Sequence, residues 1–97
     1  MAKGVKIRLD KKRHLLITTE SLAAYERVTG RQMMAQSTLT NLSLRDVIVM
    51  AWAFLLHEDS RLTIDQVGDM IKPQKNFNEL LSGIQRAMDD FTKELDR

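Results

Sequence analysis

The side chains that could perform acid–base or metal chemistry are few in this sequence, and they lie far apart along it. His57 opens the segment His-Glu-Asp-Ser, which begins like the HExxH zinc helix but lacks the second histidine. The other histidine is His14, and the chain has no cysteine, which excludes thiolate ligands and a cysteine nucleophile. We therefore expect two separate solvated loop histidines, no metal site and no cofactor.

The carboxylates and glycines form no catalytic pattern either. Asp89 and Asp90 are adjacent, so on a helix their side chains point about 100° apart and cannot act together on one substrate. The glycines are isolated from one another, so the sequence contains no glycine-rich phosphate-binding loop. These patterns indicate a protein that is not an enzyme.

Positive charge is concentrated at the start of the chain, although the formal net charge is only +2. Residues 1–14 carry a net charge of +5, whereas residues 76–97 carry a net charge of −2. Such asymmetry occurs in nucleic-acid-binding proteins, but lysine and arginine also protect the edges of small sheets from aggregation. The basic segment is therefore either a nucleic-acid contact or a solvated sheet edge.

The same basic segment has the pattern of a β-hairpin spanning about residues 4–18. Apolar and charged residues alternate from Val5 to Leu9, and Leu15–Ile17 form a second apolar run after a polar turn at Asp10–Arg13. The turn lacks an Asn-Gly or Asp-Gly pair, so we expect an antiparallel hairpin with a loop of about three to five residues.

A run of ten consecutive apolar residues, Val47–Leu56, contains the only tryptophan, Trp52. The run is too short for a membrane span, which needs roughly 20 apolar residues. Ser43 and Asp46 have the spacing of a capping box. We therefore predict a helix over about residues 43–57 that is covered by other elements on every side, and no membrane contact.

Three further helices are predicted from cap residues and periodic apolar positions. They span about residues 20–29, ending before Gly30, about 63–71, and about 76–95, with Asn76 as the N-terminal cap. A chain of 97 residues is long enough for one core. We predict a single α+β domain over residues 1–97, with an N-terminal antiparallel hairpin followed by about four helices packed around the central hydrophobic one.

Two apolar segments are candidates for contact with a partner protein. Met33 and Met34 either fill the core or form an adaptable binding surface, because methionine suits both roles. The last helix carries an apolar stripe that continues to Met88, Phe91 and Leu95. This outer end could contact another chain, pack back on the domain or fray.

Three segments occur in an order and spacing that resemble a known family. The hairpin leads directly into Leu-Ala-x-Tyr-Glu-x-x-Thr-Gly, starting at Leu22. Leu-Ser-Leu-Arg-Asp, at 42–46, then opens the helix that contains Trp52, and Leu-Leu-His-Glu-Asp, at 55–59, leads into Leu-Thr-Ile-Asp-Gln-Val-Gly, at 62–68. Together they resemble the tail assembly chaperones of long-tailed bacteriophages and of gene transfer agents, over about Val5 to Ile71.

The resemblance implies a small non-catalytic α+β protein that is present in the host cytoplasm and absent from the mature virion. Members of this family are thought to coat the tape measure protein and to bring tail tube subunits to it. We expect these two partners and self-association into a homo-oligomer through apolar helix faces.

The alternative function is a small nucleic-acid-binding or regulatory module that uses the basic hairpin, including Lys11, Lys12 and Arg13. A helix–turn–helix is disfavoured because its reading helix, at about 63–71, would bring Asp65 and Asp69 against phosphates. We therefore expect nucleic acid to be the less favoured partner.

Overall fold

The computed structural model describes residues 4–33, 42–72 and 74–95. Within these ranges a two-stranded antiparallel hairpin is followed by four α-helices, which confirms the predicted α+β class. The strands are β1 (Val5–Arg8) and β2 (Lys12–Leu15), and the helices are α1 (Thr19–Thr29), α2 (Leu44–Leu55), α3 (Ile64–Met70) and α4 (Phe77–Leu95).

Strand β2 starts earlier than the apolar run at Leu15–Ile17 predicts. Lys12 pairs with Arg8, so the loop holds only residues 9–11, and Arg13 belongs to β2 rather than to the turn. The Arg13 side chain is buried, and its guanidinium donates to both carboxylate oxygens of Asp10 at 2.9 Å. Because a carboxylate in the loop neutralises it, a charged residue occupies a buried strand position, which the alternation pattern could not reveal.

Helix α2 is the central element, as expected. It contacts α1, α3, α4 and β2. Beyond the end of β2, the Leu16 N–H donates to the Phe54 carbonyl at 3.1 Å, which ties the hairpin to α2. Trp52 is half-buried, and its Nε1 donates to the Leu62 carbonyl at 2.8 Å, so the indole joins α2 to the segment before α3.

Local capping chemistry begins three of the helices. Thr18 and Ser21 form a capping box on α1, as do Ser43 and Asp46 on α2, and Thr63 and Gln66 on α3. In each box two backbone N–H groups that have no partner inside the helix are satisfied by side chains. Helix α1 ends at Gly30, whose φ of 71° is the left-handed conformation that favours glycine.

The predicted side-chain cap of α4 is wrong. Asn76 is buried, and its Oδ1 accepts from the Lys72 N–H at 2.7 Å while its Nδ2 donates to the Met70 carbonyl at 2.9 Å. The amide therefore closes the connection between α3 and α4. The chain turns back on itself in this connection. One backbone donor and one backbone acceptor lie close enough together for a single amide side chain to bind both.

Helix α4 packs against the buried face of the hairpin at a glycine. A Cβ on Gly83 would lie 2.6 Å from Cγ2 of Ile7 and 3.1 Å from Cδ1 of Leu15. Only the absence of a side chain permits this approach, so Gly83 sets the distance between helix and hairpin.

Among the helices described, none is long and apolar enough to cross a membrane.

Candidate protein-binding groove

An open groove of about 410 Å³ lies between α2 and α4. Its floor consists of the buried residues Val47, Met50 and Ile84, and Leu81 and Met88 form half-buried walls. Leu42, just before α2, and three polar residues of α4 complete the lining: Gln85, Asp89 and Thr92.

Helical periodicity explains why these residues meet. Val47 and Met50 are three positions apart on α2, and Leu81, Ile84 and Met88 follow at steps of three and four on α4, so each set shares one face of its helix. The capping box at Ser43 and Asp46 sets the start of α2, and hence which of its residues face α4. The groove is thus the line along which two apolar helix faces meet without closing completely.

The chemistry of the groove suits binding rather than proton transfer. Apolar side chains supply its floor and walls, and among the described residues of its lining Asp89 is the one that can ionise. The volume falls in the range of ligand sites, which are mainly apolar with a few polar groups. Met88, which is half-buried in the wall, can adapt in shape to an apolar occupant.

The residues predicted to bind a partner do not lie together. Met33 is fully buried in the core, so its side chain is not on the surface, and Met34 lies outside the described residues. Met88 lines the groove. Of the candidate methionines that the structure describes, Met88 is therefore the one placed where a partner could reach it.

Phe91, three residues after Met88 on α4, lines a different cavity. It is half-buried and lines a small cavity against the hairpin, together with Val5 and Leu15. Leu95 falls in the last turn of α4, and its side chain lies outside the described part of the chain. The apolar stripe read from the sequence is thus divided between the hairpin and the groove.

Sequence reasoning did not find the α2 side of the groove. Val47 and Met50 were assigned to the covered central helix, and Leu42 appeared only in a segment that resembles a family. One feature of the sequence does point to Leu42: it is an apolar residue directly before a helix cap, a position that is usually exposed to solvent. The structure leaves Leu42 38% exposed.

A polar cluster joins the hairpin to the end of α2. Glu58 accepts from the His14 N–H at 2.8 Å and lies 2.7 Å from His14 Nδ1, and Nε2 of His57 donates to the His14 carbonyl at 2.7 Å. The two histidines expected to be separate in solvent are therefore linked through one segment of β2. Among the described residues no group of three His, Cys, Asp or Glu side chains could hold a metal ion.

The ionisation of Glu58 reflects these contacts. Burial raises the pKa of this carboxyl, but the hydrogen bonds from the His14 backbone and ring, together with the charges of both histidines, outweigh burial, and the pKa is lowered. The carboxylate is therefore the form that fits this position, and its role is to hold the hairpin in place.

Comparison with protein-family models, with curated proteins and with solved structures finds no match for this chain. The groove, the polar cluster and the faces of the hairpin are therefore the features that bear on function.

The outer face of the hairpin remains basic after folding, but with fewer free cations than the sequence suggests. Lys6, Arg8 and Lys12 are exposed on that face, whereas Arg13 points inward and is neutralised by Asp10. A polyanion could reach the three exposed cations and the loop lysine but not Arg13.

Proposed function

We propose that this chain is a non-catalytic assembly factor that holds an apolar segment of a partner protein in the groove between α2 and α4. The groove itself carries the proposal, because three apolar side chains that stay at least partly exposed line it beside a polar rim and above a buried apolar floor: Leu42, Leu81 and Met88. Val47, Met50 and Ile84 contribute that floor, and Gln85 and Asp89 belong to the rim. This is the usual anatomy of a protein-binding patch.

The dimensions of the groove favour a helical occupant. Its α4 wall runs from Leu81 to Met88, about 10 Å at 1.5 Å per residue. That length accommodates two or three anchors of an amphipathic helix, spaced at i, i+3 or i+4, and i+7. A partner rich in apolar helical segments would therefore find repeated binding positions on several copies of the chain.

The three segments that resemble the tail assembly chaperones support a specific partner. On that basis the apolar segment belongs to the tape measure protein, and tail tube subunits are recruited to it in the host cytoplasm. The chaperone is then released and absent from the mature virion. Self-association into a homo-oligomer through apolar helix faces, which keeps several copies on one long partner, is part of the same proposal.

Co-expression with the cognate tape measure protein tests the proposal. The wild-type chain should raise the soluble fraction of the tape measure protein and co-purify with it. Leu42→Gln and Met88→Gln should each reduce co-purification severalfold, since each places a polar group in the groove. The matched control is Leu44→Gln, because Leu44 is 54% exposed and does not line the groove.

Two results would contradict the proposal. One is a tape measure protein that is no more soluble with the wild-type chain than without it. The other is equal loss of co-purification in the Leu42, Met88 and Leu44 variants, which would point to a general surface effect rather than to the groove. Circular dichroism of each variant shows whether the fold is retained.

The nucleic-acid module is the second candidate, and the exposed cations of the hairpin are what favour it. Arg13 forms an ion pair with Asp10 of the same chain. One of the three cations named for nucleic-acid binding is therefore already neutralised. Titration with single- and double-stranded DNA and RNA at low salt decides the matter. A salt-dependent affinity that is lost in Lys11→Gln/Lys12→Gln would support this alternative, and a flat titration would dispose of it.

A further inference from the structure

The outer edge of β1 offers unpaired backbone groups to an incoming strand. In an antiparallel pair, opposite residues alternate between pairs that exchange both backbone hydrogen bonds and pairs that point away from each other. His14, opposite Lys6, gives its N–H to Glu58, and the Leu16 N–H, two residues on, goes to Phe54. The backbone N–H and C=O groups of Lys6 and His14 therefore point away from each other.

It follows that the N–H and C=O of Lys6 point to the outer edge of β1. Among the described residues neither group has a hydrogen-bond partner there. Two residues further, the Arg8 N–H points the same way and donates to Oε2 of Glu79 at 3.4 Å, a long contact. Within the described residues, one of these edge donors is therefore covered by a carboxylate and the other is open.

Space for a strand exists beside this edge. A cleft of about 390 Å³ lies between the start of β1 and the exposed side of α4. Its lining combines Gly4, Val5 and Lys6 of the hairpin with Arg86, Asp89, Asp90 and Lys93 of α4. None of the charged side chains in this lining forms an ion pair with another described residue.

Charge defines what the incoming strand must carry. The two side chains of β1 on the outer face are Lys6 and Arg8, so a neighbouring strand would place its own outward side chains beside two cations. Acidic residues at alternate positions satisfy both. The intervening positions turn toward the cleft beside Val5, and β-branched residues suit them because these residues have high strand propensity.

A second copy of this chain does not meet that requirement. Two β1 strands paired about a two-fold axis at Lys6 would set Lys6 directly opposite the same residue of the other copy. Like charges directly opposite each other destabilise a strand pair.

We infer that the β1 edge is a docking site for an extended segment of a partner protein in which acidic and β-branched residues alternate. The segment adds a third strand to the hairpin by hydrogen bonding to Lys6, and its carboxylates lie beside Lys6 and Arg8. This site lies beside β1 rather than between α2 and α4, and the one lining residue that it shares with the groove, among those described, is Asp89. It does not depend on the function proposed for that groove.

A short peptide provides the probe. We choose the acetylated, amidated pentapeptide Glu-Val-Glu-Val-Glu and, as the control of opposite charge, Lys-Val-Lys-Val-Lys. Titration of the wild-type protein, followed by the NMR shifts of its backbone amides, should show saturable binding of the acidic peptide centred on Val5–Ile7. The Lys6 amide should also gain protection against hydrogen exchange.

Three variants separate backbone pairing from general electrostatics. Lys6→Pro removes the edge N–H but no β1–β2 hydrogen bond, and proline is tolerated at sheet edges. It should weaken binding about tenfold more than Lys6→Gln does, because both variants lose the cation but only Lys6→Pro loses the edge hydrogen bond. Lys6→Gln should weaken binding more than Lys12→Gln, because Lys12 lies on β2, one strand further from the added one.

The inference is overturned if the acidic peptide does not bind. It is also overturned if Lys6→Gln and Lys12→Gln have equal effects and Lys6→Pro weakens binding no more than Lys6→Gln. If Lys6→Pro does not fold, as shown by loss of its cooperative thermal transition, hydrogen exchange of the Lys6 amide in the wild-type protein replaces it as the test. A Lys6 amide that gains no protection when the peptide is added also overturns the inference. If the free protein dimerises and Lys6→Gln strengthens the dimer, the edge binds a second copy of the chain, which contradicts the inference.

Discussion

Glu58 binds His14 through both of its carboxylate oxygens, one to the backbone N–H at 2.8 Å and one beside Nδ1 at 2.7 Å. The pair spans the chain from β2 to the turn after α2. With the Leu16–Phe54 backbone bond it fastens the hairpin to the C-terminal end of the central helix. The edge of β2 is thereby closed, which leaves the edge of β1 as the open side of the sheet.

The Glu58 contact should make stability depend on pH in the acid range. Because folding lowers the pKa of this carboxyl, its contribution is fully present above the unfolded pKa, about 4.3, and is lost as pH falls through the folded value. Glu58→Gln should therefore lower the free energy of unfolding by about 0.5–1 kcal/mol at pH 7, and by much less near pH 3. Urea unfolding at both pH values measures the difference.

The matched control for this experiment is Glu26→Gln, since Glu26 is exposed on α1 and makes no side-chain hydrogen bond to a described residue. Its effect should stay within about 0.5 kcal/mol at both pH values. A Glu58→Gln effect that does not change with pH would contradict the assignment.

Asp46 should stabilise the start of α2 in two ways. Its Oδ2 accepts from the Ser43 N–H at 3.0 Å and lies 2.7 Å from Nη2 of Arg31, which follows the end of α1. Asp46→Ala removes both contacts and should lower the free energy of unfolding by about 1–2 kcal/mol. Arg31→Ala removes the ion pair but leaves the capping contact between Asp46 and Ser43, so it should cost less.

Asp65→Ala serves as the control for Asp46, because Asp65 also occupies the first turn of a helix but makes no hydrogen bond to a described residue. We expect a loss below about 0.5 kcal/mol, from the helix dipole alone. Chemical denaturation of the three variants measures the order, and an Arg31→Ala effect as large as that of Asp46→Ala would assign the whole effect to the ion pair.

Two glycines in helices should respond to alanine in opposite directions. At Gly83 the new Cβ would lie 2.6 Å from Cγ2 of Ile7, so α4 and the hairpin must separate. Overpacking of about 1–3 kcal/mol outweighs the gain in helix propensity of up to about 1 kcal/mol. We predict a net loss of about 1–2 kcal/mol for Gly83→Ala, measured by thermal or urea unfolding.

Gly68→Ala is the matched substitution, because its Cβ would meet Ile48 no closer than 3.9 Å. There the propensity gain stands alone, and stability should rise by up to about 1 kcal/mol. If both variants are stabilised, the hairpin can move away from α4 at little cost, and Gly83 does not set their distance.

Asn76 should be required in the connection between α3 and α4. Asn76→Ala leaves the Lys72 N–H and the Met70 carbonyl without their side-chain partner, which should cost about 1–3 kcal/mol. Asn76→Asp can still accept from Lys72 but cannot donate to Met70, so its loss should be intermediate near neutral pH. The exposed Asn78, in the first turn of α4, is the control, and Asn78→Ala should change stability by less than about 0.5 kcal/mol. Equal losses at the two positions would show that the connection does not need the buried amide.

Features that depend on neighbouring residues could be predicted from the sequence. The capping pairs Ser43–Asp46 and Thr63–Gln66 form because the partners are three residues apart, and Gly30 ends α1 because glycine adopts a positive φ readily. The apolar run around Trp52 likewise required a covered helix, since no other arrangement removes so much apolar surface from water.

Contacts between distant residues could not be predicted in this way. Buried Arg13 depends on the reach of Asp10 across a loop whose length the strand pattern left open, and Asn76 serves a chain reversal that has no local signature. His14 and Glu58 carry no mark of each other in the sequence, because their approach follows from the docking of the hairpin on α2.

The same distinction between local and distant contacts applies to the candidate binding surfaces. By itself the sequence determined that α2 is apolar on all sides and that α4 carries an apolar stripe, because side-chain order and helical period are local properties. Only the tertiary structure decided that Met33 is buried, that Phe91 and Met88 line different cavities, and that the groove lies beside Met88. The reason is that an apolar face becomes core or surface according to how closely another element packs on it, and here Gly83 sets that distance for the hairpin side of α4.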